Sequence, residues 1–228
     1  MSIADNLARI QERIKKTALR CGRQPDEVRL VAVSKTVPLE MMREAVSAGA
    51  AILGENYIQE ARDKIALIGE ACAWHFIGHL QSNKAKLAAE LFSLIHSVDR
   101  IALAEALNKE AANKNKILPI LIQVNISGEE TKSGIDAAGT RQLVQQAALL
   151  PHLSVQGLMT MPPWFESPED ARPYFRALRK LRDELADEHI PNASLKELSM
   201  GMSGDFEVAI EEGATLVRIG TAIFGERR

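Results

Sequence analysis

Thiol chemistry is nearly absent from this chain: 228 residues contain only Cys21 and Cys72. They stand far apart and at no metal-ligand spacing, so they read as two reduced thiols of a cytosolic protein. Net charge is almost absent too, at −2 from 28 basic and 30 acidic residues. That balance removes any general electrostatic reason to bind nucleic acid or an anionic membrane. No apolar stretch approaches the ~18–20 residues a spanning helix needs. The polar opening Met1-Ser2-Ile3-Ala4-Asp5-Asn6 lacks the make-up of a signal peptide. A soluble, cytoplasmic protein is the expectation. No Gly-x-Gly-x-x-Gly follows the first strand candidate, which counts against a dinucleotide-binding sheet. No low-complexity segment, linker or repeat interrupts the chain. Its 46% hydrophobic and 25% charged residues are those of an ordinary folded protein.

What is present alternates. Ile3, Leu7, Ile10, Ile14 and Ala18 recur at helical spacing, so residues 1–21 form an amphipathic helix closed by Gly22. Strand patterns follow at 30–34, 52–54, 75–77, 94–97, 120–125, 154–158, 197–200 and 216–219. Helical patterns lie between them near 39–48, 56–69, 83–91, 99–113, 136–149, 168–189 and 203–212. Eight strands with intervening helices and short links predict an α/β fold, a single (β/α)8 TIM-type barrel with an extra N-terminal helix. One domain over 1–228 is expected, and a doubly wound open sheet is the structural rival.

In such a barrel the active site lies at the C-terminal ends of the strands. Lys35 closes the apolar run Leu30-Val31-Ala32-Val33-Ser34. A lysine there must reach water, pair with a carboxylate, or lose its charge through chemistry such as a Schiff base with an aldehyde. The seventh and eighth strand ends carry Ser199-Met200-Gly201-Met202-Ser203-Gly204-Asp205 and Gly220-Thr221. Their glycines, hydroxyls and helix starts form a phosphate site at the place barrels most often hold one; the plainer reading is two ordinary capped turns.

Arg218 ends the eighth strand near Lys35. A phosphorylated aromatic aldehyde would reconcile the two cations, consuming Lys35 as an imine and taking a hydrogen bond from Arg218 at a ring nitrogen. The alternative is an ion pair of Arg218 with Glu55 or Asp205. His75 and His79 lie on a strand pattern, where i and i+4 are about 13 Å apart, so no zinc site is assigned. His75 reads as structural and His79 as a loop residue near the pocket. Lys84, Lys86 and Lys132 read as solvated or phosphate-adjacent. Met159, Met161, Met200 and Met202 read as pocket wall or core.

Several segments then form a recognisable set. They are Ala32-Val33-Ser34-Lys35-Thr36, Gly54-Glu55-Asn56-Tyr57, His75-Phe76-Ile77-Gly78-His79-Leu80-Gln81-Ser82-Asn83-Lys84, Gly157-Leu158-Met159-Thr160-Met161, Leu198 to Asp205, and Val217-Arg218-Ile219-Gly220-Thr221-Ala222-Ile223-Phe224-Gly225. Over residues 5–227 the chain closely resembles the pyridoxal phosphate homeostasis proteins. The resemblance implies a barrel like the N-terminal domain of alanine racemase, holding pyridoxal 5′-phosphate (PLP). It matches Lys35 to the Schiff-base lysine and Arg218 to the arginine near the pyridine nitrogen. Ser199, Ser203, Gly220 and Thr221 match phosphate-binding segments, and Asn56 and Met200 match positions lining the pocket.

Racemisation by two bases needs an acid/base on each face of the imine, and in alanine racemases a further domain supplies a tyrosine. The tyrosines here are Tyr57 and Tyr174, and the chain closes at Arg228, so a PLP carrier in vitamin B6 homeostasis is expected rather than an efficient enzyme. The alternative is a PLP-dependent racemase or lyase with Tyr57 or His79 as second base; a third is a PLP-free barrel that binds a sugar phosphate. The partners implied are PLP and PLP-dependent apo-enzymes as recipients, with the chain a monomer or weak dimer.

Overall fold

The computed structural model describes residues 2–129 and 131–225. Helix α1 (Ile3–Arg20) is followed by β1 (Arg29–Val33), α2 (Leu39–Ser47), β2 (Ile52–Glu55), α3 (Ile58–Ile68), β3 (Ala73–Phe76) and α4 (Ala85–Leu91). Next come β4 (Leu94–Val98), α5 (Ile101–Asn113), β5 (Leu118–Asn125), β6 (Ile135–Asp136), α6 (Ala137–Ala148) and β7 (Leu153–Met159). The chain continues through α7 (Arg172–Ala186), β8 (Ala193–Ser199), α8 (Phe206–Glu211), β9 (Leu216–Ile219) and α9 (Thr221–Phe224). All pairings are parallel, and β4 pairs with β5 to close the sheet. Eight strands therefore form a barrel with helices outside it, the predicted architecture. The two-residue β6 only extends the C-terminal end of β5; too short to carry a period, it has no signature in the sequence.

Strand parity decides what faces the barrel axis. Val31, Ile52, Leu94, Leu121, Met159 and Leu216 form a separate buried cluster, as expected of inward side chains from successive strands. Counting on in twos from Val31, Ile52, Met159 and Leu216 reaches Val33 and Lys35, Gly54 and Asn56, Met161, and Arg218 and Gly220. Residues of the other parity, such as Ala32, Leu53, Leu158 and Leu198, join the larger core between strands and helices.

Helix α1 does not stand apart. Its apolar stripe Ile3, Leu7, Ile10, Ile14 and Ala18 is buried, and Asn6 Nδ2 donates to the Ile223 carbonyl at 3.0 Å. Arg13 pairs with Glu207 at 3.0 Å and lies 4.7 Å above the Phe206 ring. Ser2 caps the helix start by accepting from the Asp5 amide, and Gly22 at φ +72° ends it.

Candidate functional site

A cavity of about 350 Å³ opens at the C-terminal ends of the strands. Val33 at the end of β1, Arg218 of β9, and Lys35, Asn56 and Ile77 just past the ends of β1, β2 and β3 stand on its wall, and Ser203, Gly204, Asp205, Gly220 and Thr221 close one side. Met161, Pro163, Trp164 and Phe165, after β7, form an apolar side; Trp164 is 82% exposed. Of the expected site residues, Lys35, Asn56, Ser203, Arg218, Gly220 and Thr221 thus share one cavity.

Ser199 and Met200 do not line it, and the reason is geometric. Ser199 points inward but lies beneath Arg218, fully buried. Met200 has the opposite parity and sits wholly within the outer core. Among the four methionines, Met161 and Met202 border the cavity while Met159 and Met200 are core.

The predicted helix from 203 begins only at Phe206. Gly201 at φ +89° turns the chain, and Asp205 Oδ1 accepts the Met202 amide at 2.6 Å, holding 203–205 as a turn. A Cβ on Gly201 would meet Ala209 Cβ at 2.5 Å, so the turn admits only glycine. The Ala222 amide donates to Ser203 Oγ at 3.4 Å, which joins the two hydroxyl-bearing loops.

Arg218 forms the floor. It donates to Ser199 Oγ at 2.5 Å and to the Thr160 carbonyl at 2.9 Å. Burial pushes its pKa down to about 10, so it remains cationic at neutral pH. The expected alternative pairings do not form: Glu55 is bound to Lys64 at 2.8 Å, and Asp205 acts on Arg218 only through space. Burial also raises the Asp205 carboxyl.

Beneath Arg218 runs a chain with no signal in the sequence. Ser199 Oγ is 2.8 Å from His96 Nδ1, and His96 Nε2 is 3.0 Å from His75 Nδ1. Since Arg218 donates to Ser199, the serine hydroxyl is free to donate to His96 Nδ1, and His96 Nε2–H to His75. Burial, reinforced by Arg29, lowers His75 to about 3. Burial and the neighbouring His75 and Arg218 hold His96 well below its usual value. Both imidazoles are neutral at physiological pH.

Tyr57 and His79, the candidate second bases, border a neighbouring depression with Gln81 and Lys84, and that depression shares only Asn56 with the cavity. His79 Nδ1 lies 3.8 Å from Asp99. Tyr174 stacks on Phe165. Lys84, Lys86 and Lys132 do not reach the cavity wall.

A family model described as "Alanine racemase, N-terminal domain" matches residues 5–228. The chain is 49% identical to the pyridoxal phosphate homeostasis protein of Aquifex aeolicus over the full length of both. It is 44% identical to the protein of that name from Escherichia coli K12, covering 99% of this chain and 97% of the other. The chain belongs to the pyridoxal phosphate homeostasis protein family. Among solved structures, this family member resembles PipY of Synechococcus elongatus PCC7942 with PLP bound, at TM-score 0.86 and 37% identity over 98% of this chain and all of that one. It also shares its fold with alanine racemase from Corynebacterium glutamicum, at TM-score 0.76 and 19% identity, matching 98% of this chain and 62% of the racemase.

Proposed function

We propose that this protein binds pyridoxal 5′-phosphate in the strand-end cavity and serves intracellular PLP homeostasis in the cytoplasm, holding the cofactor through Lys35 without efficient turnover. The observation that carries this reading is the convergence of one lysine, one buried arginine and two hydroxyl-bearing glycine loops on a single cavity. Homologues named for this role and the PLP-bound PipY structure support it.

The residues present fit the group. Asn56 Oδ1 is buried without a hydrogen-bond partner, an acceptor awaiting a donor. The Arg218 guanidinium is hydrogen-bonded to neutral groups only, and the Ser203 and Gly220–Thr221 loops bring backbone and hydroxyl donors to the same wall. When bound, PLP supplies an aldehyde that condenses with a primary amine and a ring that draws electrons from the product. Lys35 offers the amine at Nζ. Ser203, Gly204, Gly220 and Thr221 would hold the phosphate. Arg218, which keeps its proton, can only donate toward a ring nitrogen, and Ser199 fixes its direction. Buried Ile77 gives the wall an apolar patch, and exposed Met161 and Trp164 stand at its rim. The two tyrosines lie off this wall, so it carries no tyrosine acid/base beside Lys35. PLP-dependent apo-enzymes are the recipients in this reading, and the chain acts as a monomer or weak dimer.

Absorbance of the purified protein with added PLP, followed by borohydride reduction and peptide mapping, tests the assignment. The expected result is a visible band and a label on the Lys35 peptide, both lost in Lys35→Ala. No band after PLP addition would leave the site as a phosphate-ester pocket. Rapid α-deuterium exchange into a common amino acid would replace the carrier reading with an enzyme.

A further inference from the structure

The turn that carries Lys35 is gripped on both flanks by one charged cluster lying on the outer face of the barrel. Before Lys35, Ser34 donates its hydroxyl to Glu55 Oε1 at 2.7 Å, and its carbonyl accepts from Lys64 Nζ at 2.5 Å. After Lys35, Thr36 donates its backbone N–H to Glu60 Oε1 at 2.5 Å. Lys64 joins the two sides, reaching Glu55 at 2.8 Å and Glu60 at 2.6 Å. Parity explains the arrangement: Lys35 and Asn56 point into the barrel, so Ser34 and Glu55 point out, under α3. Glu60 and Lys64 stand one turn apart on that helix, in the favourable acidic-before-basic order.

Two features make this cluster costly as mere packing. Glu55 is fully buried, and its Oε2 has no hydrogen-bond partner; an apolar replacement of such a group is often no worse for stability. Thr36 has φ +58°, a left-handed conformation that a β-branched residue adopts only when its surroundings impose it. The Val37 N–H closes the turn on the Ser34 carbonyl at 3.0 Å, and the Thr36 amide bond to Glu60 ties it to α3. None of Glu55, Glu60 and Lys64 lines the cavity, yet Lys64 and Glu60 bond to the backbone immediately before and after the lysine that does, and Glu55 accepts from the Ser34 hydroxyl.

We propose that Glu60, acting with Lys64, is a positioning residue for Lys35: it fixes the strained 34–36 turn so that the Lys35 side chain is presented to PLP in one geometry. This rests on the assignment of Lys35 as the PLP lysine and deepens it. Glu60 is partly exposed, so truncating it leaves the core intact.

The test compares wild type, Glu60→Ala and Glu60→Gln. In PLP-free protein, hydrogen exchange at the Thr36 amide should rise about tenfold or more in Glu60→Ala, since a charge-assisted bond is lost. In protein loaded with PLP, decay of the visible band after transfer to PLP-free buffer should quicken about fivefold to tenfold, with the melting temperature little changed. Glu60→Gln keeps an acceptor oxygen and should bring both rates to within about twofold of wild type. Wild-type rates in Glu60→Ala would overturn the proposal, and so would a Glu60→Gln indistinguishable from Glu60→Ala. A wild-type protein with no reducible label on Lys35 would instead sink the PLP assignment, and the positioning role with it, whatever the exchange rates show.

Discussion

The guanidinium of Arg218 keeps its charge at neutral pH because burial lowers its pKa only to about 10, and the groups that hold it, Ser199 and the Thr160 carbonyl, are neutral. Behind Ser199 the two imidazoles carry a pH signature. In the unfolded chain a histidine titrates near 6.5, whereas His75 in the fold titrates at about 3 and His96 is also far depressed. Below about pH 6.5 the unfolded state therefore binds protons that the folded state refuses, so stability is present above that pH and falls as pH drops toward 3. The slope is about 1.4 kcal/mol per pH unit for each histidine. Urea midpoints between pH 5 and 7 should show it, and His96→Gln should flatten it by roughly one histidine's share. An unchanged slope in that variant would mean His96 is protonated in the fold.

At the scale of elements, the two hydroxyl-bearing loops are only as steady as the short helices behind them. α8 and α9 have 6 and 4 residues, too few to hold shape alone. Helix α1 braces both, through Asn6 to Ile223 and through Arg13 to Glu207 and Phe206. Ile10 is a fully buried residue of that helix. Ile10→Ala should cost about 2–5 kcal/mol in denaturant unfolding, and PLP affinity should fall with it. The ends of β2 and β3 are coupled as tightly: a Cβ on Gly78 would stand 2.4 Å from the Asn56 carbonyl oxygen. Gly78→Ala should displace Asn56 and raise the PLP dissociation constant about tenfold, with the far-ultraviolet circular dichroism preserved. Full retention of affinity would show that Asn56 does not touch the ligand.

Over the whole molecule, one closed barrel links cofactor and stability. Ligand that binds only the folded state at a hundred times its dissociation constant adds about 2.7 kcal/mol, or a rise of several degrees in melting temperature for a chain of this size. PLP should give that shift in wild type and little of it in Lys35→Ala, by scanning calorimetry at matched PLP concentration. Equal shifts would mean that the phosphate loops, not the lysine, supply the binding energy. Among the described residues no helix is long and apolar enough to cross a membrane.

The order of strands and helices was readable because short apolar runs, several of them β-branched as in β1 and β5, alternate with segments carrying a 3.6-residue stripe. Lys35, Arg218, Ser203 and Thr221 were readable because polar groups at strand ends stand out against apolar runs. The family segments needed no structure either. Strand parity after closure decided the rest. It turned Met200 into the outer core while its neighbour Ser199 went in, a difference of one residue that a list of strand ends does not resolve. It also brought His96 to Ser199, 103 positions away in the chain, and Glu60 to the turn beside Lys35. Such contacts join residues that are ordinary in their own segments. Their meaning comes from the curvature that makes eight strands share one axis, and only the folded barrel supplies it.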